Sequence, residues 1–148
     1  MKIVLAFGSN LGDREEYILA AYRLLEEELG VLIKKSSFIE TPAWGFESDN
    51  SFINSVAEFE TKKTPYEALE ICNRIEKELG RERNPEYKGY QNRTIDIDIL
   101  FYEDIVLDTA TLKIPHPLIA ERDFVLTPLK EILPNLLHPV LKKEIKDI

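Results

Sequence analysis

The chain has 148 residues, 44% of them hydrophobic and 31% charged, which describes a soluble globular protein the size of one ordinary domain. Its formal net charge of −8 argues against a nucleic-acid partner, because contact with a phosphate backbone needs a basic surface. The single cysteine, Cys72, excludes an internal disulfide framework, and the first apolar run, residues 3–7, is too short for a signal peptide or a membrane span. We therefore expect a cytoplasmic protein with no membrane partner.

The first half of the chain predicts a strand, a helix and two further strands. The predicted strands are residues 2–7, 31–40 and 52–61. The helix starts at Asp13, which has capping-box spacing to Glu16, and it runs to Leu29, where Gly30 closes it. The glycine-bearing turn at residues 8–13 lacks both the P-loop and the dinucleotide pattern, so we interpret it as structural.

The segment between the second and third strands, residues 41–51, holds Trp44 and Phe46. Large rings on a connecting loop favour a binding surface, because loops lie on the surface and carry function. The alternative is a loop that packs its own ring onto the domain. Asn54 lies inside the strand that follows, where an amide is out of place unless it has a partner or a ligand.

A second helix is predicted to begin after Thr64, with Pro65 at its first position and Glu67 completing a capping box, and to end at Gly80. A polar loop over residues 81–92 follows. The basic residues of this loop and of the strand start behind it are Arg81, Arg83, Lys88 and Arg93. Such a local cluster can handle nucleotide phosphates even in an acidic chain.

The strand that follows this loop carries two aspartates. Strict alternation puts Ile95, Ile97, Ile99 and Phe101 on one face and Thr94, Asp96, Asp98 and Leu100 on the other. Carboxylates at this spacing lie ~7 Å apart at the backbone and can converge on a pair of divalent cations, an arrangement that suits Mg²⁺. The alternative is an antiparallel strand whose aspartates simply face water. The depletion of Asp in strands and the repulsion of like charges argue for a bound cation, but the strand alone leaves both interpretations open.

The order strand, helix, strand, strand, helix, strand predicts an α+β fold with a ferredoxin-like βαββαβ core, an antiparallel sheet and two helices on one of its faces. The remainder predicts short strands at residues 105–107 and 112–114 and a short helix over residues 128–133. Between them, His116 is held by two flanking prolines, although a lone histidine is more often structural or merely exposed. We expect one domain over residues 1–148.

Seven stretches of the chain match one family in this order: Gly8-Ser9-Asn10-Leu11-Gly12, Thr41-Pro42 with Gly45, Phe52-Ile53-Asn54, Ile75-Glu76 before Gly80-Arg81, Arg93-Thr94-Ile95-Asp96-Ile97-Asp98-Ile99-Leu100, Pro115-His116-Pro117 and Arg122-Asp123-Phe124-Val125-Leu126. The chain thereby resembles the 6-hydroxymethyl-7,8-dihydropterin pyrophosphokinases of the folate pathway from residue 2 to about residue 133. The aspartate stretch with its leading arginine is specific to this family.

The resemblance implies that ATP gives its terminal pyrophosphoryl group to the hydroxymethyl of a reduced pterin, with release of AMP and with two Mg²⁺ ions. It implies that Asp96 and Asp98 are the Mg²⁺ ligands. The implied pterin pocket comprises Thr41, Pro42, Trp44, Phe52, Asn54 and Phe124. The implied phosphate-holding residues are Arg81, Arg83, Arg93, His116 and Arg122, and the implied nucleotide-site residues are Asn73, Glu76 and Ile99. The expected catalytic residues are Asp96, Asp98, Arg81, Arg83 and Arg93.

The chain departs from the usual pattern of this family in the loop before the aspartate strand, which is longer than the family's usual form, and at three positions. Tyr90 stands where a Trp is frequent, Gly89 where a basic residue is common, and Asn73 where Gln is common. Two other functions remain open from the residues alone. One is a palm-like nucleotidyl transferase, for which the acidic charge is unfavourable because it must hold a template. The other is a non-catalytic regulatory domain that binds a small ligand. We expect small molecules as partners, ATP as co-substrate, and a monomer.

Overall fold

The computed structural model describes residues 1–42, 51–80 and 94–148. Its helices and strands are β1 (Lys2–Ser9), α1 (Arg14–Glu28), β2 (Gly30–Lys35), β3 (Ile39–Thr41), β4 (Phe52–Thr61), α2 (Pro65–Glu78), β5 (Asp96–Tyr102), β6 (Leu107–Asp108), β7 (Lys113–Ile114) and α3 (Asp123–Ile132). Short 3₁₀ turns lie at Ile119–Glu121 and Ile145–Asp147. Among the helices of these ranges, none has the length and apolar content that crossing a membrane requires.

The first two helices begin where their capping residues predict. The backbone N–H of Glu16 donates to the side chain of Asp13 at the start of α1. Thr64 and Glu67 form a reciprocal capping box at the start of α2. Gly30 has a different role from the predicted helix stop, because it is already the first residue of β2. A Cβ at Gly30 would lie 1.9 Å from the carbonyl oxygen of Glu60, so the glycine is required by close strand packing.

The main sheet is antiparallel, with the strand order β2-β4-β1-β5, and β3 also pairs with β4. This is the predicted ferredoxin-like arrangement. The strand predicted over residues 31–40 is two strands, β2 and β3. Its interruption has a local cause at Ser36, whose hydroxyl accepts from the backbone N–H of Val56 and donates to the carbonyl of Ser37. The Ser36 side chain thus bonds to backbone groups that would otherwise pair between the strands.

Each face of the sheet carries its own buried core. The core under α1 and α2 includes Ile3, Leu5, Phe7, Tyr22, Leu25, Ile75, Ile97 and Ile99. The core on the opposite face includes Val4, Ala6, Val56, Leu100, Phe101, Val125, Leu129 and Ile145. The helices α1 and α2 therefore cover one face, as predicted, and α3 with the C-terminal segment covers the other.

The alternation of β5 changes after Ile99. Leu5 pairs with Ile99 and its neighbour Val4 pairs with Phe101, so Leu100 is the extra residue of a β-bulge. Phe101 consequently packs in the core under α3 together with Leu100. The prediction that Phe101 shares the face of the isoleucines was wrong, because strict alternation assumes a strand without a bulge.

The third helix also starts earlier than predicted. It begins at Asp123, and Pro128, the predicted start, lies inside it. A proline removes one backbone hydrogen bond from the helix interior. The apolar face of α3 buries Val125, Leu126 and Leu129 against the sheet, and this packing sustains the helix across the proline.

Candidate active site

Three neighbouring strands bring small and polar side chains to the same level of the sheet. In the register of the sheet, Asp96 pairs with Gly8, and Gly8 pairs with Asn54 on its other side. Asp98 pairs with Ala6 in the same way. Paired residues point to the same face of a sheet, so both aspartates lie on the face that α3 covers. The prediction that Asp96 and Asp98 share one face of their strand is therefore confirmed.

A first cavity opens over this face. It is lined by Ala6, Phe7, Gly8, Thr41, Pro42, Phe52, Asn54, Ser55, Asp96, Asp98, Arg122, Phe124 and Val125. Within it, the side-chain amide of Asn54 donates to the Thr41 hydroxyl at 2.7 Å, so the amide that is unusual in a strand has a partner. Aromatic walls with a few placed polar groups are typical of a small-molecule site.

A second cavity lies along the α2 side of β5. Its lining includes Leu69, Asn73, Glu76, Asp96, Ile97, Asp98, Ile99, Lys113 and His116. Asp96 and Asp98 are therefore shared by the two cavities, which meet at these carboxylates.

Arg122 is the cation of the described residues that comes nearest to the aspartate pair. It is buried, with 8% of its surface exposed, and its Nη1 lies 4.0 Å from Oδ2 of Asp98. Its guanidinium stands over the ring of Phe124, 5.6 Å from the ring centre. Arg122 thus contacts both Phe124, in the wall of the first cavity, and Asp98, where the two cavities meet.

His116 lines the second cavity with a defined tautomer. Its backbone N–H donates to the carbonyl of Leu100, and its Nδ1 accepts from the backbone N–H of Leu118 at 3.2 Å. Burial and the charge of Arg122 lower the pKa of His116 to about 4, although the carboxylate of Asp96 acts in the opposite direction. The imidazole is therefore neutral near pH 7, and since Nδ1 accepts, its proton resides on Nε2.

Glu76 is a buried carboxylate on the inner side of α2. Its Oε2 accepts from the backbone N–H of Ile97 at 2.9 Å. Burial, together with the charges of Glu76 and Asp98, raises the pKa of the neighbouring Cys72 thiol far above its usual range. Cys72 is therefore a neutral, buried side chain behind the aspartate strand.

The described members of the predicted site fall into these two cavities. The first cavity contains Thr41, Pro42, Phe52, Asn54, Phe124 and Arg122, and the second contains Asn73, Glu76, Ile99 and His116. Trp44, Arg81, Arg83 and Arg93 lie outside the described residues, as do Lys88, Gly89 and Tyr90.

Sequence reasoning missed Gly8 as a member of the site. It interpreted this glycine as part of a turn, whereas Gly8 lies within β1 and forms the floor of the first cavity. A Cβ at Gly8 would stand 3.3 Å from Oδ1 of Asn54 and 3.4 Å from the ring of Phe52. The signal available in the sequence was a glycine at the end of an otherwise apolar strand, which often marks close approach of another group.

Comparisons with known proteins identify the family of this chain. The family model described as 7,8-dihydro-6-hydroxymethylpterin-pyrophosphokinase (HPPK) matches residues 4–134. A protein named 2-amino-4-hydroxy-6-hydroxymethyldihydropteridine pyrophosphokinase from Aquifex aeolicus is 45% identical over 98% of this chain and 88% of its own length. A protein of the same name from Bacillus subtilis is 43% identical over 86% of this chain and 75% of its own length.

Solved structures show the same fold. One, titled as the HPPK-DHPS in complex with substrates, superposes with a TM-score of 0.76 at 20% identity over 99% of this chain. A second, the wild-type Plasmodium falciparum HPPK-DHPS, has a TM-score of 0.76 at 19% identity. The chain spans 42% and 43% of the lengths of these two structures. By its family model and its relatives, the chain belongs to the 7,8-dihydro-6-hydroxymethylpterin-pyrophosphokinase family.

Proposed function

We infer that the chain carries the activity of its family: it transfers pyrophosphate from ATP to the hydroxymethyl group of 6-hydroxymethyl-7,8-dihydropterin, giving AMP and the pterin diphosphate for folate synthesis. The observation that carries this function is the position of Asp96 and Asp98, which border both cavities at once. A group that passes from a ligand in one cavity to a ligand in the other must pass these carboxylates.

The first cavity suits the pterin. The rings of Phe52 and Phe124 offer apolar walls to a flat heterocycle. The Asn54 amide, oriented by the Thr41 hydroxyl, offers hydrogen bonds to the heterocycle edge. Pro42 lines the same cavity, and we assign Trp44 to this subsite on the family resemblance alone.

The second cavity suits ATP. Asn73, Glu76 and Ile99 line the part assigned to the nucleoside. His116 presents a neutral imidazole whose Nε2 proton is available to a phosphate oxygen. Arg122, beside Asp98, would meet the phosphates at the boundary. On the family resemblance, Arg81, Arg83 and Arg93 complete the phosphate site, where guanidinium forks match phosphate oxygens.

The aspartate pair fits magnesium. Its donors are hard carboxylate oxygens, two residues apart on one strand face, and both side chains are only partly buried. Asp96 and Asp98 would hold two Mg²⁺ ions, which when bound cancel charge on the transferring group and clamp the attacking and leaving oxygens. The contribution of the chain itself is to align the pterin hydroxymethyl with the ATP β-phosphorus and to keep water away from both.

We extend the proposal to a single-domain monomer that acts on small molecules in the cytoplasm, without nucleic acid or membrane. One sheet with a core on each face accounts for the described strands β1 to β5 and their helices, which supports a single domain. The buried free thiol of Cys72 is compatible with a reducing compartment.

Product analysis tests the reaction. The chain is incubated with ATP, Mg²⁺ and 6-hydroxymethyl-7,8-dihydropterin, and the nucleotide products are separated by chromatography. We expect AMP and pterin diphosphate in equal amounts, and no AMP when the pterin is omitted. Accumulation of ADP would indicate transfer of a single phosphoryl group, and release of free pyrophosphate would indicate a nucleotidyl transferase. The absence of any reaction would favour a binding domain.

A further inference from the structure

We propose that Arg14 is a positioning residue for the pterin pocket, which it serves from outside by holding the two chain segments that lead into Thr41 and Phe52. This inference rests on the proposed function, because it assigns Arg14 to the pterin subsite of that reaction. Its basis is a closed cluster of three side chains, Arg14, Glu40 and Ser51, which we call the Arg14 cluster.

The Arg14 cluster is fully connected. Nη1 of Arg14 donates to the backbone carbonyl of Ser51 at 3.0 Å and to the Ser51 hydroxyl at 3.0 Å. The Ser51 hydroxyl donates in turn to Oε1 of Glu40 at 2.6 Å. Nη2 of Arg14 lies 3.6 Å from Oε2 of Glu40, which closes the triangle. Hydrogen bonds to charged groups are stronger than neutral ones, so the cluster resists separation of its parts.

Two members of the Arg14 cluster lie one residue before a residue of the pocket, Glu40 within β3 and Ser51 just before β4. Glu40 directly precedes Thr41 in β3, and Ser51 directly precedes Phe52 in β4. Thr41 and Phe52 are themselves paired across these strands, and both line the first cavity. Because successive side chains of a strand point to opposite faces, Glu40 points away from the face of Thr41. Arg14, Glu40 and Ser51 are not among the described residues that line the first cavity.

The position of Arg14 indicates that its contacts with Glu40 and Ser51 are not incidental. Arg14 is the first residue of α1, where the positive end of the helix dipole disfavours a cation. Its side chain is nevertheless only 31% exposed and turned toward two segments distant in sequence. The planar fork of arginine reaches a carbonyl, a hydroxyl and a carboxylate together, which the single ammonium of lysine cannot do equally well.

The consequence concerns pterin affinity. Thr41 accepts the hydrogen bond that orients the Asn54 amide, and Phe52 is a wall of the same cavity. If Arg14 keeps these two residues at their bound spacing, its loss adds an ordering cost to pterin binding and leaves the ATP cavity on the other side of β5 unchanged.

The test compares Arg14→Met with wild type by equilibrium binding of 6-hydroxymethyl-7,8-dihydropterin, in the presence of Mg²⁺ and α,β-methylene ATP. We expect about tenfold weaker pterin binding for Arg14→Met, an intermediate loss for Arg14→Lys, and an affinity for the ATP analogue within about twofold of wild type. Arg23→Met is the matched control, because Arg23 is an exposed arginine of the same helix. It should bind both ligands as wild type does.

A pair of milder variants keeps the inference testable if Arg14→Met does not fold. Glu40→Gln removes the ion pair with Arg14, and Ser51→Ala removes the hydroxyl that accepts from Arg14 and donates to Glu40. Together the two substitutions should weaken pterin binding by less than the product of their single effects. Unchanged pterin affinity in these variants, or a parallel loss of affinity for both ligands, would overturn the positioning role. A wild-type chain that binds no pterin would overturn both the proposed function and this inference. If the wild-type chain binds pterin and the variants bind it equally well, this inference alone is overturned.

Discussion

Oε2 of Glu76 accepts a hydrogen bond of 2.9 Å from the backbone N–H of Ile97, the residue between the two aspartates of β5. In the described sheet β5 is the last strand, so this N–H points away from β1 and toward α2. A buried carboxylate of α2 therefore takes the place of a neighbouring strand. The contact therefore holds the backbone of β5 between Asp96 and Asp98 in place against α2.

Removing this acceptor should destabilise the fold. Glu76→Ala leaves the buried N–H of Ile97 without its acceptor, and we expect the free energy of unfolding to fall by about 1–3 kcal/mol. Glu76→Gln keeps an oxygen at this position and should lose less. Glu70→Ala, an exposed glutamate of the same helix, is the control and should change stability by less than about 0.5 kcal/mol. Urea denaturation measures all three, and a Glu76→Ala variant as stable as Glu70→Ala would disprove the structural role.

Gly8 should control access to the pterin cavity. In Gly8→Ala the new methyl group would crowd Oδ1 of Asn54 at 3.3 Å and contact the ring of Phe52 at 3.4 Å. Both groups line the proposed pterin subsite, so we expect the KM for the pterin to rise about tenfold, with the KM for ATP unchanged. Steady-state kinetics with each substrate varied in turn measures the two constants. Equal changes in both would show that the floor of the cavity does not discriminate between the ligands.

His138 is a buried histidine of the C-terminal segment that acts as a hydrogen-bond acceptor. Its Nδ1 accepts from the backbone N–H groups of Val140 and Leu141 at 3.2 Å and 3.0 Å. Its ring meets Phe101 edge to face, with the ring centres 5.5 Å apart. Burial lowers the pKa of His138 below its ordinary value of 6.5. The folded chain therefore favours the neutral imidazole.

The depressed pKa of His138 gives a signed prediction for stability. As the pH falls through 6.5, His138 binds more protons in the unfolded chain than in the folded chain, so its contribution to stability is complete above pH 6.5 and is lost as the pH falls below it. His138→Asn supplies an acceptor oxygen that does not titrate in this range. We expect the urea midpoint of wild type to fall more between pH 7 and pH 5 than that of His138→Asn. Equal falls of the two urea midpoints would show that protonation of His138 does not cause this pH dependence.

The sequence predicts local features of this chain well, because they depend on neighbouring residues. The capping residues Asp13 and Thr64 mark helix starts that the structure confirms. The alternation around Asp96 and Asp98 identifies their shared face, since a period of two residues is a property of any regular strand. The family resemblance added the assignment of the pterin and nucleotide groups, which periodicity alone does not supply.

Features that depend on distant partners were not predictable in this way. The bulge at Leu100 arises from its pairing with β1, and the helix across Pro128 is sustained by packing on the sheet. The contact of Glu76 with Ile97 and that of Arg14 with Ser51 join residues 21 and 37 positions apart. No hydrophobic period encodes such polar contacts. The roles of Trp44 and of the arginines at 81, 83 and 93 stay predictions.

Counting the Mn²⁺ ions that the protein holds in the presence of α,β-methylene ATP and the pterin tests the aspartate pair most directly. Electron paramagnetic resonance of the free ion gives this number. We expect two ions per wild-type chain, fewer than two in Asp96→Asn and Asp98→Asn with their folds intact and their turnover abolished, and two in Asp104→Asn, an exposed aspartate just after the same strand. Full occupancy and unchanged affinity in Asp96→Asn and Asp98→Asn would contradict the assignment of the metal pair to these carboxylates.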